Sequence, residues 1–204
     1  MTAAYYMAKQ SLNDSERNKM AYASNVVAQA LANNFSLSPD NYIAMKEVTF
    51  KDLIDTMGGL PIYFPAAVTN PSNGKVFAPA GKQVLTGQQA LDYSRFIEGS
   101  QPALVSEWDR FNRQNQILVS SMQQVLSIKG TSSFPGLVND YYKDVVTDLS
   151  ASQLLDLTCV LQKTGFNNIK YIEFKRTLIS GEQNNVLIPN TNEITQYYQP
   201  YFIP

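Results

Sequence analysis

Between Tyr42 and Phe64 the sequence demands a strand, a helix and a second strand in immediate succession, which restricts the fold to an α/β or mixed-sheet class. Tyr42 to Val48 reads as a short strand. Thr49-Phe50-Lys51-Asp52 then approximates a capping box and opens a helix that Gly58-Gly59 closes, and Leu60 to Phe64 has the alternation of a strand. With 204 residues, 44% of them hydrophobic and 16% charged, the chain can bury one sizeable core, so residues 1–204 are expected to form a single domain.

Other elements follow from the same signals. Met20, Val27 and Leu31 recur at helical spacing between Asn13 and Asn34. Pro65 to Gly81, rich in Pro and Gly, reads as a long loop or an irregular hairpin. Thr86-Gly87-Gln88-Gln89 is a capping box for a short helix through Ala90, Leu91 and Tyr93, and Ser150-Ala151-Ser152-Gln153 is another, for a helix stopped at Gly165. The clearest helix is expected over Ser106 to Lys129, with Ser106 as its N-cap. Phe111, Leu118, Met122 and Val125 would form its core stripe, while Arg110, Arg113 and Gln114 occupy a neighbouring arc. Ile169 to Phe174 and Val186 to Ile188 complete the expected strands.

Several chemistries are excluded by what the chain lacks. It contains no histidine, which removes His-based triads, His general bases and nearly all His-ligated metal sites. A lone Cys159, expected to be core within an apolar run, removes internal disulfides and Cys-clustered metals. Sixteen basic against seventeen acidic residues encode no bulk attraction to nucleic acid. No stretch reaches the roughly 18 apolar residues of a membrane span, and no signal core follows Met1; the chain can still be a piece of a longer, exported protein.

The chemistry left to Arg, Lys, carboxylates and hydroxyls favours phosphate handling. Its candidates lie between Lys82 and Gln114: Lys82, Arg95, Arg110, Arg113 and Gln114. Three arginines beside a helix N-terminus can hold a phosphate or pyrophosphate. Equally, Arg110 and Arg113 can be solvated, or paired with Glu107 and Asp109. Asp52, Asp55 and Asp92 have ordinary helix-surface explanations.

The run Gly81-Lys82-Gln83-Val84-Leu85-Thr86-Gly87-Gln88-Gln89-Ala90-Leu91-Asp92-Tyr93-Ser94-Arg95 resembles the G-K-x-x-L-x-G-x-x-A-L-x-Y-x-R signature of the LytR-CpsA-Psr family of bacterial cell-envelope enzymes. Glu107 to Gln114 resembles the family's D-x-x-R-x-x-R-Q helix start, with Glu107 in the acidic position. Phe50 to Pro65 is similar to its F-x-x-L-V-D-x-L-G-G-V-x-V-x-V-P segment, and Thr147 to Ser150 and Val186 to Pro189 resemble its closing region. The likeness runs from about Thr2 to Pro189 and leaves 190–204 as a tail.

The resemblance implies a mixed central β-sheet sandwiched by helices, with an apolar pocket for a lipid tail and with the N-terminal part of the domain lacking. It implies transfer of an anionic glycopolymer, such as a teichoic acid or capsule polymer, from a polyprenyl-pyrophosphate carrier to peptidoglycan. The place of action would be the outer face of a bacterial membrane, with the chain peripheral to the bilayer and no nucleic acid involved. Arg95 and Arg110 would be the catalytic cations, joined at the phosphates by Arg113, Gln114 and Lys82. Magnesium would assist, its ligands unassigned because the family's acidic N-terminal region has no counterpart here. Ile97 stands where the family commonly has a second arginine. A non-catalytic module that binds polyprenyl phosphate or glycopolymer is the alternative reading.

Overall fold

The chain opens with two helices, α1 (Thr2–Ser11) and α2 (Glu16–Phe35), in a computed structural model that describes residues 2–97, 103–128, 144–164, 168, 172, 175–184 and 186–201. Ser15 caps α2 by accepting from the Asn18 N–H at 3.3 Å, and Ser36, with φ 54°, ends it in the left-handed conformation. Periodicity does not mark α1, whose apolar residues make no stripe: Tyr6 and Met7 are exposed. An ion pair between Lys9 and Glu16 fastens it to α2, holding the Glu16 carboxyl below and the Lys9 ammonium above its ordinary value.

The strand, helix and strand form as expected, with altered boundaries. They are β1 (Ile43–Met45), α3 (Glu47–Thr56) and β2 (Leu60–Phe64). The helix starts before Thr49, at N-cap Lys46, which makes no side-chain cap bond. Thr49 is buried within the first turn and not at its entry, so the capping box read there is unused. Glu47 instead sets a carboxylate at the positive end of the helix. Gly58 and Gly59, at φ 84° and 92°, turn the chain into β2; a Cβ on Gly59 would lie 2.6 Å from a Val84 methyl.

β3 (Val68–Thr69) and β4 (Val76–Ala78) form an irregular, bulged hairpin within the Pro65–Gly81 segment. β5 (Gly81–Leu85) pairs antiparallel with β2, Leu60 opposite Leu85 and Phe64 opposite Gly81. Thr86 and Gln89 complete a reciprocal capping box for α4 (Gly87–Arg95). α5 (Ala103–Ile128) follows, then β6 (Val145–Thr147), which pairs antiparallel with β1. The Ser150–Gln153 box opens α6 (Ala151–Thr164). A hairpin of β7 (Ile179–Gln183) and β8 (Val186–Pro189) leads into α7 (Thr191–Tyr198), capped by Asn190. The α/β class holds, and among the described residues the sheet consists of four two-stranded antiparallel ladders.

Two clusters carry the packing. Ile54 of α3, Leu60 and Phe64 of β2, Leu85, Ala90, Tyr93 and Ile117 of α5 form the main core. Leu37, Leu178 and Ile194 form a second one, which fixes α7 against the end of α2. Residues 191–198 are thus part of the fold and not a loose tail.

Three expectations are corrected. α5 begins at Ala103, so Ser106 lies inside it and is not its N-cap. Leu118 is 53% exposed although it was read as part of the core stripe, because it faces a cavity and not packed side chains. Cys159 is exposed and not part of the core. The helix stop at Gly165 and, apart from Ile172, the strand over Ile169–Phe174 lie outside the described residues.

Candidate anion site beside two apolar cavities

α3 and α4 lie antiparallel and very close. Gly87, at the start of α4, sits where a Cβ would come 2.2 Å from the Lys51 carbonyl oxygen, so only glycine permits this approach. Asp55, near the end of α3, accepts from the Gly87 N–H at 2.7 Å and so caps α4. Lys51 donates to Gln88 at 3.0 Å. At the other end of the pair, Arg95 in the last turn of α4 forms an ion pair with Glu47 in the first turn of α3. Asp92 accepts from Gln88. Asp55 thus ties α4 to α3, and Asp92 holds Gln88 within α4.

Tyr93 anchors α4 to the rest of the core. Its ring lies 5.3 Å edge-on from Phe64, 5.8 Å stacked on Phe77 and 6.0 Å from Phe96. Its hydroxyl donates to Gln116 of α5 at 3.0 Å, and Gln116 in turn donates to the Tyr63 carbonyl at 3.1 Å. Burial pushes the Tyr93 phenol above its ordinary value, with the Arg113 guanidinium pulling it down less strongly. A raised phenol contributes stability that is whole below about pH 10 and is lost as pH climbs through the raised value. Urea midpoints should accordingly fall on going from about pH 9 to about pH 11, and fall less in Tyr93→Phe. Equal falls in the two proteins would show that this phenol does not govern the alkaline limb.

Arg113 and Gln114 of α5 reach the carbonyls left open at the end of α4. Arg113 donates to the Phe96 carbonyl and its guanidinium carbon stands 5.9 Å from the Tyr93 ring centre, while Gln114 donates to the Ser94 carbonyl at 3.3 Å. Arg113 thus braces α4 on α5. Arg110, one turn before Gln114, forms an ion pair with Glu107, the local pairing that the sequence left open. Because α5 starts at Ala103, Arg110 lies about two turns inside it. An anion held by Arg110 is therefore out of reach of the free N–H groups at the helix start, contrary to the expectation from the sequence. Lys82 is exposed on β5 opposite Tyr63 and lies in neither of the two cavity linings described below. Ile97 is 45% exposed just beyond α4.

Two apolar cavities flank this cluster, and α5 lines both. The first, about 640 Å³, uses Trp108 and Phe111 of α5, Leu31 and Phe35 of α2, Leu187 and Ile194, with Glu107, Arg110 and Gln114 as its polar lining. The second, about 440 Å³, uses Ile117, Leu118 and Val125 of α5, Phe50 and Leu53 of α3 and Leu91, with Lys46, Glu47, Ser94 and Gln114 among its polar lining. Sequence reasoning marked the arginines but missed Glu47, which four strands, β2 to β5, separate from the helix of Arg95; an acidic residue in the first turn of α3 was the available signal.

Chemically the site offers two guanidinium groups, each held by a carboxylate. The Arg95–Glu47 pair has side chains 51% and 58% exposed, and an ion pair so open to water contributes at most about 1 kcal/mol, so a phosphate can displace the carboxylate. Among the described residues, no three Asp, Glu or Cys side chains come together to hold a metal ion.

Comparison with known proteins bears on family and fold. The sequence profile described as the LytR_cpsA_psr family matches residues 8–200. The cell wall biosynthesis protein LcpA of Corynebacterium glutamicum is 27% identical over 177 residues, covering 83% of this chain and 33% of that protein. The polyisoprenyl-teichoic acid–peptidoglycan teichoic acid transferase TagU of Bacillus mycoides is 30% identical over 146 residues, 70% of this chain and 46% of its own length. The chain therefore spans from a third to about half of these two relatives. Among solved structures, a LytR-Csp2A-Psr enzyme from Actinomyces oris superposes with a TM-score of 0.71 at 17% identity, covering 91% of this chain and 73% of that one. TagV of B. subtilis gives 0.67 at 20% identity, covering 91% and 75%.

Proposed function

Because the chain belongs to the LytR-CpsA-Psr family, we propose that it forms the carrier-binding part of a phosphotransferase that moves an anionic glycopolymer from a polyprenyl-pyrophosphate carrier to peptidoglycan. The observation that carries this reading is the placement of Arg110 and Gln114 in the wall of the 640 Å³ apolar cavity, with Arg95 beside them at the end of α4. That volume lies within the roughly 300–1,000 Å³ usual for ligand pockets. A prenyl chain entering it would bring its diphosphate to the arginines.

In this reading the headgroup replaces Glu47 on Arg95 and Glu107 on Arg110, gaining bidentate, charge-assisted bonds. An acceptor hydroxyl then forms a new P–O bond to the phosphorus that carries the glycopolymer. The anhydride P–O bond breaks, polyprenyl phosphate leaves with the electron pair, and the hydroxyl proton is released. Arginines aimed at the oxygens that gain charge are the main help such a transfer requires. The reaction takes place, in this reading, at the outer face of a bacterial membrane to which the chain is peripheral. No helix among the described residues is long and apolar enough to cross a bilayer.

Ile97 favours the second reading, a binding module that holds the carrier without turnover, since it leaves one cation fewer to stabilise a transferring phosphoryl group. A Leu187→Trp variant, which puts an indole into the first cavity, tests the carrier assignment by native mass spectrometry. It should lose most of its polyprenyl-pyrophosphate binding while still binding inorganic pyrophosphate. Full lipid binding in the variant would remove the chain from this cavity. Transfer of a lipid-linked glycopolymer to peptidoglycan, present or absent with the natural chain, separates the enzyme from the module.

A further inference from the structure

We infer that the second cavity is a second lipid site, which takes the prenyl chain of another anionic amphiphile, so that two polyprenyl-phosphate headgroups meet at Gln114. The inference rests on the carrier reading of the first cavity and extends it.

The argument is that the same chemistry occurs twice along one helix. The first half of α5, up to Gln114, lines the first cavity, and the second half, from Gln114 to Val125, lines the other. Each cavity is apolar and carries an arginine–glutamate pair at its polar lining: Arg110 with Glu107 at the first, Glu47 with its partner Arg95 at the second. Lys46 adds a cation of its own to the lining of the second. An ammonium there suits a phosphate headgroup. The volume of about 440 Å³ is in the ligand range of roughly 300–1,000 Å³.

A single chain running through both cavities fits less well. Gln114, which stands at their junction, is polar and donates to the Ser94 carbonyl; an amide held there divides two apolar spaces and does not join them. Leu118, 53% exposed although it belongs to the apolar side of α5, is explained by a lipid that covers it. The consequence for function is that the acceptor glycan is presented on a polyprenyl phosphate of its own, with donor and acceptor headgroups on either side of Gln114.

The test is the stoichiometry of polyprenyl monophosphate bound to the full chain, read by native mass spectrometry, with Leu187→Trp in the first cavity and Leu118→Trp in the second. The exposure of Leu118 makes the larger side chain compatible with folding, which circular dichroism confirms or denies for each variant. Two lipids on the natural chain, one on each single variant and none on the double variant are the expected result. Lys46→Ala should weaken the lipid that survives in Leu187→Trp severalfold and spare the one that survives in Leu118→Trp. One lipid that only Leu187→Trp removes overturns the second site and leaves the carrier reading intact. One lipid that either tryptophan removes means a single chain threads both cavities, and also overturns it. No lipid on the natural chain overturns both readings.

Discussion

Arg110→Ala should weaken the binding of a polyprenyl pyrophosphate by about 2–3 kcal/mol, a factor of roughly 30 to 150 in Kd. The loss has two parts. The phosphate forfeits a charge-assisted, bidentate partner in a site whose other walls are apolar. Glu107, which Arg110 now neutralises, would be left facing the incoming anion. Arg110→Lys keeps the charge but not the planar fork, and it should recover only part of the affinity. Titration of the three proteins with the same lipid measures both effects. Unchanged affinity in Arg110→Ala would take the phosphate away from this arginine.

The second large effect is expected where no ligand is involved. Gly87→Ala would place a methyl 2.2 Å from the Lys51 carbonyl oxygen and 2.6 Å from the Lys51 Cα, both backbone atoms that cannot rotate aside. α4 must then move off α3, at about 3 kcal/mol, which outweighs the gain of at most about 1 kcal/mol from replacing glycine in a helix. Urea unfolding should show a lower midpoint with an unchanged slope. Gly181→Ala, which meets nothing within 4 Å, is the control and should be nearly neutral. Moving α4 also moves Arg95 away from Glu47 and Gln114 away from Ser94, so Gly87→Ala should bind pyrophosphate more weakly even where it is folded. Equal midpoints for the two variants would show that the close approach of α3 and α4 is not a constraint.

The elements that were legible have strictly local causes. The Thr86–Gln89 and Ser150–Gln153 boxes form because donor and acceptor lie three residues apart and nothing distant competes for them. Thr49 offered a similar pattern, and there tertiary burial prevailed: β1 ends at Met45, α3 starts at once, and the threonine is taken into the packed interior. α5 extended past Ser106 for the same kind of reason, since a serine within a run of helix formers does not stop a helix that packs along its length. That extension carried Arg110 away from the helix start and changed its helper from backbone N–H groups to Glu107.

The sequence by itself determined the class, the succession of strand, helix and strand, the two capping boxes, the exclusion of histidine chemistry and the arginines on which an anion site could be built. Those conclusions depend on residue type and on spacings shorter than two helical turns. Tertiary structure alone decided that Arg95 meets Glu47, that Arg113 braces α4 and that apolar space lies on both sides of Gln114. Each of these depends on how closely two elements distant in sequence approach; for α3 and α4 that closeness is set at Gly87, where the absence of one methyl lets them touch.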